Sequence, residues 1–297
     1  MQTKQGEFGM VLSDGAAQFI ETIPRNGTEP ILYLADHERL GRVRFNLNGR
    51  RFKSQGMRLA LVGASGAGKS NAMAVVVEEV HRVGYPLLVF DQEGEFVSLG
   101  DLPGVQVFEI EPEQDERACR ESCRTACWIA DFVLVSGGGV VVDVSELSVS
   151  AQRLVFVSLA REFYGRAGEM RRRCFFFVDE ASEVAPQRKA KDAVESCRWL
   201  EQIVRRGRKR GIYTVLATQR PSALNKDVLA QFNAKLIGRL DIWQDLDAVR
   251  PYLTRKVEMK EISGLESGYF LLDLGGESHI VHVRLRMTED LGGTPLD

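Results

Sequence analysis

The sequence predicts an α/β fold: a mostly parallel sheet covered by helices on both faces, with a small β-rich segment before it and a β-hairpin after it. Three observations predict it. Short, nearly unbroken apolar runs recur at 58–62, 87–90, 140–143, 174–178 and 213–217, the pattern of strands buried on both faces. Helix-like amphipathic stretches alternate with them, as in a layered α/β domain. Asp91, the pair Asp179-Glu180 and Gln219 each follow such a run directly, at the carboxyl ends of strands where ligands of open parallel sheets gather.

At 297 residues the chain exceeds the usual single-domain size, and it divides into a short β-rich segment, 1–55, and a main domain, 56–297. An apolar share of 44% supplies a sizeable core. The net charge of −2 excludes nucleic-acid binding through global charge, so any such contact must rest on local basic patches. The N-terminus has no apolar signal region and no apolar run approaches membrane-spanning length, so a cytoplasmic location without membrane contact is expected.

The elements follow in order. Asp14-Gly15, Asn26-Gly27 and Asn48-Gly49 punctuate the first segment around short apolar runs such as 31–34, which predicts a few short strands and hairpins. A strand at 58–62 precedes a helix through 72–80, stopped by Gly84 and Pro86. Strands at 87–90 and 105–110 come next. A charged helical run at 116–129 then carries Cys119, Cys123 and Cys127 on one face. With no second cysteine pair or histidine cluster to complete a zinc site, these are read as reduced cysteines packed as small apolar groups. Strand 140–143 leads to a helix at 151–164, with Leu154, Val157 and Leu159 among its apolar positions. After strand 174–178, Ala193, Cys197, Leu200 and Val204 mark one face of a helix from about 189 to 209. Strands 213–217 and 235–240 follow, and β-runs 269–274 and 279–285 flank Gly275-Gly276 as a hairpin.

Between the first main strand and its helix lie Gly63, Ala64, Ser65, Gly66, Ala67, Gly68, Lys69 and Ser70, followed by Asn71. This is the P-loop pattern G-x-x-x-x-G-K-[ST] in its strand–loop–helix context. The glycines let the backbone curl so that successive N–H groups face one phosphate chain, and the helix start adds the positive end of its dipole. Lys69 is placed for the β- and γ-phosphates of ATP, and the Ser70 hydroxyl for Mg²⁺. The run 175–178 followed by Asp179-Glu180 is a Walker B pattern. Asp179 would hold Mg²⁺ through its water shell, and Glu180 would poise the attacking water. Gln219 is either a sensor of the γ-phosphate that orients that water or a polar cap on its strand. The run 205–210, with Arg205 and Arg208, is either a solvated helix end or the source of an arginine finger for a neighbouring subunit, and spacing alone does not choose.

Taken in order, 63–71, 89–96 (Val-Phe-Asp-Gln-Glu-Gly-Glu-Phe), 177–181 (Phe-Val-Asp-Glu-Ala), 207–212 and 217–222 resemble the HerA/FtsK superfamily, and within it HerA-type ATPases. The likeness covers roughly residues 57–285, and the joint order is far more specific than any one motif. It implies a RecA-like P-loop NTPase that assembles as a homo-oligomer, a hexameric ring, and pumps double-stranded DNA through its centre. Lys69, Ser70, Asp179, Glu180 and Gln219 occupy the matching positions, and the resemblance favours an intersubunit finger from Arg205 or Arg208. The family usually shows Asp-Pro-His-Gly-Glu-Tyr where this chain has residues 91–96, so no role carries over to Gln92 or Glu93. HerA proteins generally begin with a β-barrel that docks a nuclease, and about 55 residues are too few for a barrel of that kind; a nuclease or other effector protein is the further partner in question. DNA contact would come from loop cations such as Arg188, Lys189 and Lys191, which read equally as ordinary charged surface.

Three readings follow: an ATP-driven DNA translocase or helicase, a packaging or conjugation motor of a virus or mobile element, and a nucleotide-switched assembly subunit that recruits an effector.

Overall fold

Twelve strands form one sheet in the computed structural model, which describes residues 10–13, 30–38, 41–110, 125–188 and 190–289. They are β1 (Met10–Ser13), β2 (Ile31–His37), β3 (Gly41–Asn46), β4 (Arg58–Val62), β5 (Leu87–Asp91), β6 (Val105–Glu109), β7 (Gly139–Asp143), β8 (Cys174–Val178), β9 (Ile212–Thr218), β10 (Ala234–Ile237), β11 (Tyr269–Asp273) and β12 (Ser278–Val283). The order across the sheet is β1-β3-β2-β12-β11-β10-β4-β9-β8-β5-β7-β6. From β10 to β6 every pairing is parallel; from β1 to β10 every pairing is antiparallel. The predicted α/β class and the predicted hairpin, β11–β12, are both present.

The central strands read as continuous apolar runs because both their faces are covered. Along β8, Cys174, Phe176 and Val178 enter one core, and Phe175 and Phe177 enter the other. The first core is roofed by helices Val149–Met170 and Val194–Arg206, the second by the P-loop helix Lys69–Val83. In the first, Phe176 stacks on Phe156 and Phe163. The P-loop helix ends at Gly84, whose φ of 82° lets its N–H reach the carbonyls of Val80 and His81, the left-handed cap that glycine favours.

Two helices differ from expectation. Val149–Met170 is longer than 151–164 and turns Leu154 outward, 50% exposed. Its buried stripe is Gln152, Val155, Phe156, Leu159 and Phe163, whose spacing follows one helical face that Leu154 does not share. The second helix is confined to Val194–Arg206, with 3₁₀ turns Lys191–Ala193 and Gly207–Arg210 at its ends. Its predicted face holds: Ala193, Cys197, Leu200 and Val204 are buried. Lys189, Cys119, Cys123 and the turns at Asp14-Gly15 and Asn26-Gly27 lie outside the described residues. Cys174 and Cys197 are buried thiols, whereas Cys127 is exposed, with Sγ 3.4 Å from Glu162 Oε2, so it is not packed as an apolar group.

Strand β2 joins β12 through the pairs His282↔Asp36 and Val283↔Ala35, so strands from before residue 55 extend the main sheet. Tyr33 N–H of β2 also donates to Glu79 of the P-loop helix at 3.0 Å. Among the described residues, no helix is long and apolar enough to cross a membrane.

Candidate functional site

The carboxyl ends of β4, β9 and β10 meet around the glycine loop. Gly63 N–H donates to Thr218 O (3.3 Å) and Ala64 N–H to Arg239 O (2.7 Å), so the loop is pinned between the ends of its two neighbouring strands. Gly66 and Gly68 have φ of 71° and 91°, backbone that side-chain-bearing residues rarely adopt. At Gly68 a Cβ would also lie 3.0 Å from Gly268 N, so a side chain there would press on the backbone of the turn before β11. The helix then starts at Lys69 with its first amides aimed into the loop, which makes an anion cradle.

Lys69 is 7% exposed and its Nζ donates to Ala64 O at 3.2 Å. Burial pulls its ammonium down, while the carboxylates of Glu180, Asp179, Glu95 and Glu93 push it up. Ser70 follows, partly buried in the first helical turn.

Asp179 and Glu180 end β8 beside the loop. Asp179 is 6% exposed and its N–H donates to Phe90 O at 3.0 Å. Burial raises its carboxyl well above the ordinary range, and neighbouring Asp91, Glu180 and Glu95 add to that. Glu180 has φ of 33°, a left-handed conformation that is unfavourable for a residue with a Cβ. That turn aims its carboxylate at the end of β9, where Thr218 Oγ1 (3.1 Å) and Gln219 N–H (3.2 Å) donate to it, and Ser182 Oγ, two residues on, donates at 2.7 Å. The structure therefore brings Gly63–Ser70, Asp179, Glu180 and Gln219 to one place.

Three predicted residues are placed elsewhere. The Asn71 side chain turns away from the loop: its Nδ2 donates to Arg284 O and its Oδ1 accepts from Arg286 N–H, both at 2.9 Å. Arg205 and Arg208 precede the amino end of β9, a full strand of about 20 Å from Gln219. Arg205 pairs with Glu201 at 2.6 Å and is 57% exposed; Arg208 donates to Ser54 O and lies over Gly56.

Asp91, expected at the site from its place at a strand end, is joined there by Gln92, Glu93 and Arg239, which were not legible in advance. Asp91 is fully buried, and its two oxygens accept the N–H groups of Glu93, Gly94, Glu95 and Phe96, which folds residues 92–96 into a tight loop. Burial, with the Asp143 carboxylate nearby, pushes Asp91 up to about 7 against the pull of those amides. Gln92 Nε2 donates to the carbonyls of Asp179 and Glu180, tying that loop to the Walker B turn. Glu93 faces Glu95 and Glu180, and burial with those neighbours raises its carboxyl. Arg239, at the end of β10, donates from Nη2 to Ser65 O at 3.2 Å and pairs with Asp241. Its position after an apolar run, like Gln219, was the available signal.

Comparison with known proteins agrees with this geometry. The family model for the central domain of helicase HerA matches residues 53–151. The DNA double-strand break repair helicase HerA of Pyrococcus furiosus is 40% identical over 93 residues, 31% of this chain and 16% of that protein, so the match spans a small part of the relative's length. The fold is similar to VirB4 of Thermoanaerobacter pseudethanolicus, with TM-score 0.66 and 12% identity over 87% of this chain and 97% of that one. It is also similar to the genome packaging NTPase B204 of Sulfolobus turreted icosahedral virus 2, in complex with ATP-gammaS, with TM-score 0.52 and 16% identity over 77% and 98%. A glycine cradle, a Walker B pair and a strand-terminal glutamine meet at the carboxyl ends of the central strands, and with the HerA central-domain match across the loop itself they make this chain similar to the P-loop ATPases of the HerA/FtsK type.

Proposed function

We propose that the chain hydrolyses ATP and couples the cycle to movement along double-stranded DNA as a ring of identical copies. One observation carries this reading: the P-loop, Asp179, Glu180 and Gln219 share the carboxyl ends of the central strands while Arg205 and Arg208 stand at the amino end of β9. Arranged so, each copy offers a nucleotide site at one end of the strands and guanidinium groups at the other, the arrangement a head-to-tail ring requires. Mg²⁺ fits the site, because the buried Asp179 is crowded by other carboxylates and gains a compensating charge. Ser70 and Asp179 would hold it, and the ion would supply charge neutralisation on the transferred phosphoryl. Lys69 orients the phosphates, Glu180 takes a proton from the attacking water, and Gln219 fixes that water's position.

The Pyrococcus relative is a helicase, which supports DNA as the polymer acted upon. Arg188 and Lys191, in the loop after Walker B, are suited to phosphate contact without sequence preference. The packaging function of B204 favours a second reading, a motor that packages or transfers DNA for a virus or mobile element. A nucleotide-switched ring that recruits a nuclease or other effector is the reading of a different class.

The test is the particle mass with and without ATP and duplex DNA, together with hydrolysis rates. A ring whose turnover rises with duplex DNA is expected. A monomer under every condition, or turnover indifferent to DNA, overturns the motor.

A further inference from the structure

The chain leaves β12 as an extended strap, residues 284–289, laid along the P-loop helix. Exposure alternates along it: Arg284, Arg286 and Thr288 are partly buried, whereas Leu285 and Met287 are 81% and 70% exposed. The inward side chains and the strap backbone are fixed at three stations.

At the first, the Asn71 amide imitates a strand partner, donating to Arg284 O and accepting from Arg286 N–H. Asn71 lies in the first turn of the helix that follows the glycine loop. At the second station, Glu78 is 1% exposed and accepts from Met287 N–H (2.6 Å), Thr288 N–H (2.9 Å) and Thr288 Oγ1 (3.1 Å), while Arg284 pairs with it at 2.8 Å and with Glu79 at 3.3 Å. All three hydrogen bonds fall on Oε1, and the Arg284 ion pair compensates the buried charge on the Oε2 side.

The third station reaches the nucleotide site. The Arg286 guanidinium donates to Glu95 O (Nη1, 3.2 Å), Ser98 Oγ (Nη2, 2.9 Å) and Thr288 Oγ1 (Nε, 3.0 Å), and Ser98 Oγ donates on to Glu289 O at 2.6 Å. The Glu95 residue is thereby gripped on both sides. Its N–H donates to Asp91 Oδ1 at 3.3 Å and its carbonyl accepts from Arg286. The carboxylate of the same residue acts on Lys69 and on Asp179.

We propose that the strap braces the two halves of the nucleotide site, and that Arg286 is a positioning residue that holds loop 91–96, with Glu95, against Lys69 and the Walker B turn. Glu95 O, Ser98 Oγ and Thr288 Oγ1 each take a different nitrogen of the planar Arg286 fork, an arrangement that a lysine cannot reproduce. The inference rests on the hydrolysis reading for its kinetic consequence and on the hydrogen bonds alone for its structural one.

The full chain tests it with Arg286→Ala, Arg286→Lys and the outward control Leu285→Ala, each measured well below its melting temperature. Hydrolysis kinetics are read beside amide exchange. Arg286→Ala is expected to lower kcat about tenfold with KM held within about twofold, since misplacement of a site loop acts on the chemical step. Arg286→Lys should not recover kcat, and Leu285→Ala should match the parent. The amides of Glu95 and Phe96 should exchange about tenfold faster in Arg286→Ala, with the strands unchanged. Parental kcat in Arg286→Ala overturns the inference, as does a loss accompanied by faster exchange across the whole sheet, which marks general destabilisation. If the parent itself turns over no ATP, the hydrolysis reading fails by itself. The brace is then decided by exchange alone: parental exchange at Glu95 and Phe96 sinks it.

Discussion

The amide of Gln219 donates to both carboxylate oxygens of Glu180, at 3.2 Å each. The Walker B glutamate and the residue ending the adjacent strand therefore move as one unit. Ser182 and Thr218 hydroxyls add to the hold on the same carboxylate. In the proposed mechanism the water activated by Glu180 is oriented by the Gln219 side chain. Replacing Glu180 by Gln keeps an acceptor for the Gln219 amide but removes the base. Hydrolysis by Glu180→Gln should fall by roughly 10²–10⁴, the usual worth of a general base. Nucleotide affinity, read with a fluorescent ATP analogue, should stay within about threefold of the parent. A parental rate excludes Glu180 as the base.

Gly68 gives a prediction with its own internal control. Its φ of 91° and the approach of Gly268 N act together on any added Cβ. Gly104 has a similar φ of 80° with nothing within 4 Å of the added atom. Both alanine substitutions carry the left-handed strain of about 1–2 kcal/mol, but only Gly68→Ala also displaces the cradle. Nucleotide affinity should fall at least about tenfold, or ~1.4 kcal/mol, in Gly68→Ala and stay parental in Gly104→Ala. Equal affinities in the two proteins would mean the close contact at Gly268 has no consequence for binding.

How far the sequence carried depends on the range of the interaction. Strands β4 and β8 have the predicted bounds, because a strand buried on both faces writes itself as a local apolar run. The glycine loop and Asp179-Glu180 were legible for the same reason: their spacing is their chemistry. Leu154 was misjudged because apolar character alone does not say which helical face meets the sheet. Gln92, Arg239 and Arg286 were missed because their partners lie far along the chain; Glu95, for example, is 191 residues from Arg286. The left-handed turn at Glu180 was invisible too, since nothing in a glutamate announces positive φ.

Asp91 makes stability depend on pH in a stated direction. Burial, with Asp143 nearby, places its folded value at about 7, against an ordinary 3.8. The folded state therefore holds this proton more tightly than the unfolded chain. The contribution is fully present below about pH 4 and is lost as pH rises through about 7, a span of roughly 4 kcal/mol. Denaturant unfolding between pH 5 and pH 8, a window of about three units around that value, should show stability falling with pH in the parent. Asp91→Asn loses one acceptor for the loop amides and is offset in absolute stability, but its stability should fall less steeply. Parallel pH curves for the two proteins would remove Asp91 as the titrating group.

Arg205 and Arg208 cannot act on the nucleotide of their own chain while they stand at the amino end of β9 and Gln219 at its carboxyl end. If either is a finger, it serves a second copy, and the cost of losing it is shared between molecules in a way that mixing reveals. Arg208→Ala should lower hydrolysis by about 10³ or more, the order of an arginine finger, with ATP binding near parental. Lys69→Ala should be inactive through its own site. Mixed, the two proteins form some interfaces that pair an intact P-loop from one with an intact arginine from the other, and those interfaces should turn over ATP. The same experiment with Arg205→Ala tells the two arginines apart, because Arg205 is already paired with Glu201 and Arg208 is held by a backbone carbonyl. The arginine whose loss is complemented by Lys69→Ala is the finger. No complementation from either, with only monomers in sedimentation, removes both the finger and the ring.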